Sequence, residues 1–214
     1  MQTLIEGIHK FRQDELGKYE KLFRRLSIEG QNPHTLFITC SDSRVLAELI
    51  TQSKPGDLFV VKNVGNIVPP ADAGRSTNST AAAIEFAVQT LGVTDVVICG
   101  HSFCGAMTAL LADHQDEENM PHLCQWLQWA APVKTLIQTK YGYLKKEHER
   151  TTAAGEENVL LGLENLRQYP LVKSRLETGL LRLHGWFFHI ATAEMFAYDH
   201  VSQQFQLISQ ASAR

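Results

Sequence analysis

Residue types that bind soft metals stand at two places in the 214-residue chain: Cys40 in TLFITCSDSRV, and His101 with Cys104 in VVICGHSFCG. Two thiolates and an imidazole suit zinc rather than magnesium or calcium, which prefer oxygen ligands. His101 and Cys104 are separated by two residues where an apolar run gives way to glycine, so both side chains can reach one ion, with Cys40 arriving from a neighbouring strand. Three protein ligands leave a tetrahedral ion an open position for water, as in catalytic zinc sites. Spacing alone leaves a plainer reading open, because HxxC arises by chance and cysteine is among the most buried residue types. Cys99, inside VVICG, and Cys124, between Leu123 and Trp126 on a helical segment, fit that plainer reading and are expected to be core thiols.

Asp42 and Arg44 follow Cys40 at alternate positions. In extended backbone such residues share a face, so the carboxylate and guanidinium are expected to pair beside the same cavity. The Arg44 charge would keep Asp42 ionised, as an acceptor for the proton of a metal-bound hydroxide, and would keep it off the metal's open position. A structural ion pair at a turn is the alternative the residues permit.

These groups need a scaffold that brings two strand ends together. With 44% hydrophobic residues, the chain reads as a single domain, 1–214. The formal charge is −3 and the basic residues are scattered, so no nucleic-acid partner is expected. No apolar run of membrane-spanning length and no signal-peptide pattern is visible, so no membrane partner and a cytoplasmic location are expected. Four cysteines are too few for a disulfide framework.

Residues 1–30 carry apolar positions at helical spacing and form an amphipathic arm. LFIT (36–39), DLFVVKNV (57–64) and VTDVVICG (93–100) read as buried strands, with a short helix in VLAELIT (45–51). GNIVPPADAGRSTNS reads as an irregular loop, followed by a helix capped by Ser79 or Thr80 and ended at Gly92. From about 113 to 178 the pattern is helical, with Pro170 ending its second helix, and 180–200 reads as an antiparallel strand pair joined by ATA. The implied fold class is α/β: a central mostly parallel sheet of about four strands plus an antiparallel C-terminal strand, flanked by helices, with an N-terminal helical arm.

Through CSDSRV, PGDLFVVKNVGNIVP, AAAIEFAV, VVICGHSFCGAMTAL, ENVLLGLENLRQYP and LHGWFFHI, over roughly residues 4–199, the sequence resembles the β-class carbonic anhydrases, in their plant-like and bacterial–cyanobacterial branch. The resemblance implies one zinc per chain on Cys40, His101 and Cys104, with Asp42 and Arg44 as a catalytic dyad. It implies reversible hydration of CO2 to bicarbonate and a proton by zinc-bound hydroxide. It places Gln31 as an amide donor to substrate oxygen across a dimer interface, Phe59 and Val64 as apolar pocket wall, and Phe86 on the pocket side where the family usually has tyrosine. It also implies a homodimer, or a higher even-numbered homo-oligomer, built through the arm of residues 1–30.

The branch closed by bicarbonate at a separate site has tryptophan and glycine where this chain has Phe37 and Thr39, so an open, water-bearing zinc is expected. Carboxysomal members carry a longer C-terminal extension, which favours the free cytosol here. The chain departs from the family pattern at Lys62 (usually arginine), at Phe86, at Asn78 and Ser79 (usually glycines), after CSDSR (usually proline) and at Ala193 (customarily a glycine region). These departures carry an alternative: a zinc-binding homologue with weak or no CO2 hydration, kept for assembly or regulation or hydrolysing a related substrate such as carbonyl sulfide.

Overall fold

The structure, a computed structural model, describes residues 1–71, 78–112 and 116–209. Parts of two expected segments, 72–77 of the irregular loop and 113–115 at the start of the helical stretch, lie outside the described residues. The arm consists of α1 (Gln2–Lys10) and α2 (Leu16–Glu29), joined by a wider helical turn at Phe11–Glu15. Neither helix buries a residue completely, and Leu4, Ile8 and Ile28 are 67%, 61% and 85% exposed. An apolar stripe left in water on this scale marks an interaction surface.

The body follows in the order β1 (Thr35–Cys40), α3 (Ala47–Thr51), β2 (Leu58–Asn63), α4 (Ser79–Glu85, prolonged by a wide turn to Leu91), β3 (Asp95–His101) and α5 (Gly105–Leu111). Then come α6 (Pro121–Leu127), α7 (Ala131–Lys140), α8 (Glu147–Gln168), α9 (Pro170–Glu177), β4 (Arg182–His189), β5 (Glu194–Asp199) and β6 (Gln204–Leu207). The sheet order is β2-β1-β3-β4-β5-β6; the first four strands are parallel, and β5 and β6 run antiparallel to their neighbours. This is the expected sheet with one more strand. β6 alternates Phe205 and Leu207 with glutamines, a period-two pattern too short to stand alone until β5 offers it an edge.

Alternation on β1 divides the core. Leu36 and Ile38 pack with Val159, Leu163 and Leu166 of α8 on one face, and Phe37 packs with Val97, Cys99 and Phe188 on the other. The long α8 lies against β3 and β4 because Gly162 lets it approach: a Cβ there would stand 2.8 Å from the Ile98 side chain. A third cluster, from α5, α7 and α8, closes over the carboxyl ends of the strands and includes Cys40 and Cys104.

Local chemistry differs from the sequence reading at two helix ends. The cap of α4 is Asn78, not Ser79 or Thr80: its Oδ1 accepts the Ala81 N–H at 2.8 Å. Asparagine and serine rank alike as caps, so adjacent candidates cannot be separated by propensity. Pro170 does stand just after the end of α8, and it also occupies the first turn of α9, where its missing N–H costs nothing. Gly92 ends its helix in the left-handed region, as expected, at φ +68.

Ala193, in the β4–β5 turn, has φ +55, a conformation that favours glycine. Ala193→Gly is expected to stabilise the fold by about 0.5–1 kcal/mol, the relief of left-handed strain less the added freedom of the unfolded chain. An unchanged or lowered urea midpoint would contradict this.

Candidate metal centre

Cys40 and His101 are the last residues of two adjacent parallel strands, which are in register through Thr39 and Cys99. Both side chains therefore emerge at the same carboxyl edge of the sheet, where open α/β sheets hold their ligands. Cys104 is the residue from which α5 starts. Between them Phe103 has φ +57, which reverses the chain and returns Cys104 toward His101. The three ligand atoms lie within 4.8 Å of one another and all three residues are buried. The Cys40 and Cys104 sulfurs are 3.9 Å apart.

The protonation of His101 follows from its partner. Nδ1 lies 2.9 Å from the Ser102 carbonyl, which only accepts, so Nδ1 carries the proton and the neutral ring presents a lone pair on Nε2. That Nε2 is buried with no hydrogen-bond partner, a costly arrangement for a protein group unless something binds it. A tetrahedral zinc with sulfur at about 2.3 Å needs its two thiolates about 3.8 Å apart, which matches the observed spacing. The residues present fit a zinc ion.

The surroundings favour negative sulfur. Sharing a hydrogen bond with Cys104, and further hydrogen bonds from the backbone N–H groups of Asp42 and Gly65, hold Cys40 low in pKa against the effect of burial. The pair shares one proton, so Cys104 is pushed up. The Gly65 N–H points at the Cys40 sulfur at 3.4 Å, and its carbonyl accepts from Asn158 Nδ2 at 2.9 Å. Gly65 sits at φ +80, and a Cβ there would meet Ala106 at 3.0 Å, so only glycine fits.

The Asp42–Arg44 pair forms, though not through extended backbone. Residues 42–45 make a turn, closed by the Val45 N–H to the Asp42 carbonyl at 3.2 Å. Within it Asp42 Oδ1 accepts from the Arg44 backbone N–H and Nε, both at 2.9 Å, while Oδ2 accepts from Nη2 at 2.7 Å. The guanidinium holds the Asp42 carboxyl well below the usual carboxylate range. Arg44 Nη2 also donates to the Phe103 carbonyl at 3.1 Å, so the reversed peptide between the ligands fixes the arginine. Lys62 Nζ donates to the carbonyls of Val45 at 2.7 Å and Asp42 at 3.2 Å, pinning both ends of the turn. Asp42 Oδ2 stands 3.9 Å from His101 Nε2, beside the ligand cluster.

Cys99 and Cys124 are buried free thiols, as expected, and burial pushes the Cys99 thiol up to about 12. Val64 stands next to Gly65 at the mouth of the cluster, 44% exposed. Gln31, Phe59 and Phe86 are elsewhere. Phe59 pairs with Leu36 while Asn63 pairs with Cys40, which separates Phe59 from the cluster by four strand positions, about 13 Å. Phe86 packs on Phe59 with ring centroids 5.8 Å apart, and Gln31 precedes β1 at its far end, in a cleft between α2 and the turn Pro55–Asp57. Lys62, Gly65, Asn158 and Phe103 were not read from the sequence as site residues. Their roles are backbone contacts made across the fold, and the only local signal was the glycine in KNVGN.

A different titratable group lies behind the centre. Burial, and then the neighbouring charge of Glu157, raise Glu156 on α8 from 4.5 to about 7. The fold thus keeps a proton that the unfolded chain releases, so stability falls as pH rises between roughly 4.5 and 7. Glu156→Gln is expected to stabilise the chain at pH 8 by on the order of 1–3 kcal/mol, discounted for its remaining solvent contact, with little gain near pH 4.5. Urea unfolding at both pH values checks it; equal gains would contradict the assignment.

The sequence profile of the carbonic anhydrase family matches residues 35–195. Among relatives, a carbonic anhydrase of Synechocystis is 44% identical over 96% of this chain and 73% of its own length. One from Pseudomonas aeruginosa is 40% identical over 96% and 90%. Among solved structures, the β-carbonic anhydrase CcaA superposes with a TM-score of 0.92 at 43% identity, covering 97% of this chain and 99% of its own. A tetrameric β-carbonic anhydrase of Sordaria macrospora gives 0.82 at 30% identity over 92% and 95%. A parallel α/β sheet whose two central strands end in a Cys–His–Cys cluster is thus joined to a match over nearly the whole chain. The chain belongs to the β-class carbonic anhydrase family.

Proposed function

We propose that the protein hydrates CO2 reversibly to bicarbonate and a proton, with one zinc ion per chain held by Cys40, His101 and Cys104. The observation that carries this reading is the buried, unpartnered His101 Nε2 facing two sulfurs beside an ionised carboxylate. Zinc in such a site lowers the pKa of water, so that hydroxide is available to attack the carbon of CO2 at neutral pH. Asp42, an ionised carboxylate that can only accept, would take a hydrogen bond from that nucleophile and orient it. Arg44 holds the carboxylate by both oxygens and prevents it from filling the position that substrate and water need. Val64 supplies apolar wall for a substrate without charge.

The distances from Cys40 to Gln31, Phe59 and Phe86 fit residues that serve a partner's pocket, so the active form is a homodimer or a higher even-numbered homo-oligomer. The uncovered apolar face of the arm supports that assembly, and a tetramer is described for the Sordaria relative. Cytosol suits two unoxidised thiols 3.9 Å apart. Among the described residues no helix is long and apolar enough to cross a membrane.

Loss of 18O from labelled CO2, followed by mass spectrometry on zinc-loaded protein, tests the reading. Exchange far above the buffer rate is expected. Full zinc without exchange would favour the alternative, an assembly or regulatory protein or a hydrolase of carbonyl sulfide.

A further inference from the structure

Hydration of CO2 releases one proton per turnover, and that proton must leave the pocket before the next cycle. Asp42 is not free to carry it out, because both its oxygens are held by Arg44. Beside the ligand cluster lies an open cavity of about 450 Å³. It is walled by Ser41, Asn63, Val64 and Ser79 on one side and by Leu123 and Trp126 of α6 on the other, with His122 at its rim. Ser41 follows the ligand Cys40 directly, and Val64 precedes Gly65, whose N–H touches the Cys40 sulfur. The cavity therefore adjoins the metal centre through two residues of backbone, and it has room for on the order of ten waters.

His122 and Trp126 are four residues apart on α6 and share a face. Trp126 Nε1 donates to the Val64 carbonyl at 2.7 Å, which ties that face to the loop carrying Gly65. The exposed His122 thus stands at the edge of the cavity, on a helix tied to the loop of Gly65. From the end of β1, from the end of β2 with the residue after it and from α4 the cavity presents only uncharged groups, as it does from Leu123 and Trp126. Among the described residues lining it, His122 alone has an acid–base side chain.

We propose that His122 is the proton-relay residue of this site; the proposal rests on the carbonic anhydrase reading above. A water of the cavity takes up the proton released in the pocket and passes a proton to the unprotonated ring nitrogen, leaving the water neutral and giving imidazolium, and imidazolium passes its proton to a buffer base outside. The ring returns to neutral, and in dehydration the same steps run backwards. No electrons change hands, and the only bonds made or broken are N–H and O–H.

His122→Asn, with zinc content measured, is expected to lower kcat for CO2 hydration about tenfold in dilute buffer and to leave kcat/KM within about twofold, since relay follows the chemical step. Added imidazole restores kcat. His148→Asn, which removes a histidine that stacks on Phe103 of the ligand loop, is expected to show no such split. The relay requires the His122 ring to change protonation state with pH, which 15N NMR of histidine-labelled protein reads independently of activity. An unchanged buffer dependence in His122→Asn, a ring of constant charge, or the loss appearing in His148→Asn instead would each overturn the relay. A wild-type protein that fails to exchange 18O would remove the carbonic anhydrase reading and the relay with it, whereas exchange with an unaltered His122→Asn profile would remove the relay alone.

Discussion

Cys104→Ala is expected to leave a folded chain that no longer retains zinc and hydrates CO2 no faster than buffer. The sulfur removed is one of three donors within 4.8 Å, and with it gone Cys40 and His101 alone cannot hold the ion in competition with water. Because Cys104 is buried at the start of α5, a methyl in place of the thiol leaves a small void and the fold survives. Zinc content is expected to fall from about one per chain to near zero, and activity by at least about 10³-fold. Cys124→Ala is the matched control: it too removes a buried thiol, from α6 and outside the three-donor cluster, and it should keep both zinc and activity. Equal zinc in the two variants would remove Cys104 from the ligand set.

Arg44→Leu is expected to keep zinc and lose most activity. Three of the bonds that restrain Asp42 involve Arg44, two of them from the guanidinium, and the same guanidinium is anchored by the Phe103 carbonyl. Without it the carboxylate, already 3.9 Å from His101 Nε2, is free to turn onto the metal and occupy the position that water needs. A fall of about 10²-fold in kcat/KM follows, since an acceptor and an open coordination position are lost together. The cause is visible without turnover: in cobalt-substituted protein the absorption spectrum should become insensitive to added anions, and Asp42→Ala in the Arg44→Leu background should restore that sensitivity. Full activity in Arg44→Leu would reduce the pair to a surface ion pair of small effect.

The two halves of the Cys40–His101–Cys104 cluster are legible because ligand-type residues at such spacing are restrictive, and the parallel strands because buried runs such as FVV and VVIC have few other homes. What sequence did not show was local or reciprocal. The Asp42–Arg44 pair was foreseen from an extended segment, whereas a turn makes it. Two residues apart satisfies both geometries, and only the Lys62 ammonium, arriving from β2, shows that the turn is what must be held. Phe103 gives no hint of its left-handed backbone, because its type disfavours that conformation and the fold imposes it. Asn78 won the cap over Ser79 and Thr80 on geometry that propensity does not resolve. β6 has no independent stability to advertise, being a short strand that forms on an existing edge.

Gln31, Phe59 and Phe86 teach a different lesson. The resemblance placed them at a substrate pocket, and the β1–β2 register puts Phe59 about 13 Å along the strand from this chain's own cluster. Both statements hold together if the pocket is completed by a second chain. The exposed apolar stripe of α1 and α2 is the surface that such a chain would cover. Lys62 in place of arginine is accommodated as a two-carbonyl clamp, a task for a compact ammonium that needs no planar fork.

The most direct measurement is stopped-flow CO2 hydration by protein of known zinc content, run beside Cys104→Ala prepared in the same way. The account predicts about one zinc per chain and hydration far above the Cys104→Ala blank. Full zinc with a rate equal to that blank would contradict it: the metal centre would be intact, and CO2 would not be its substrate.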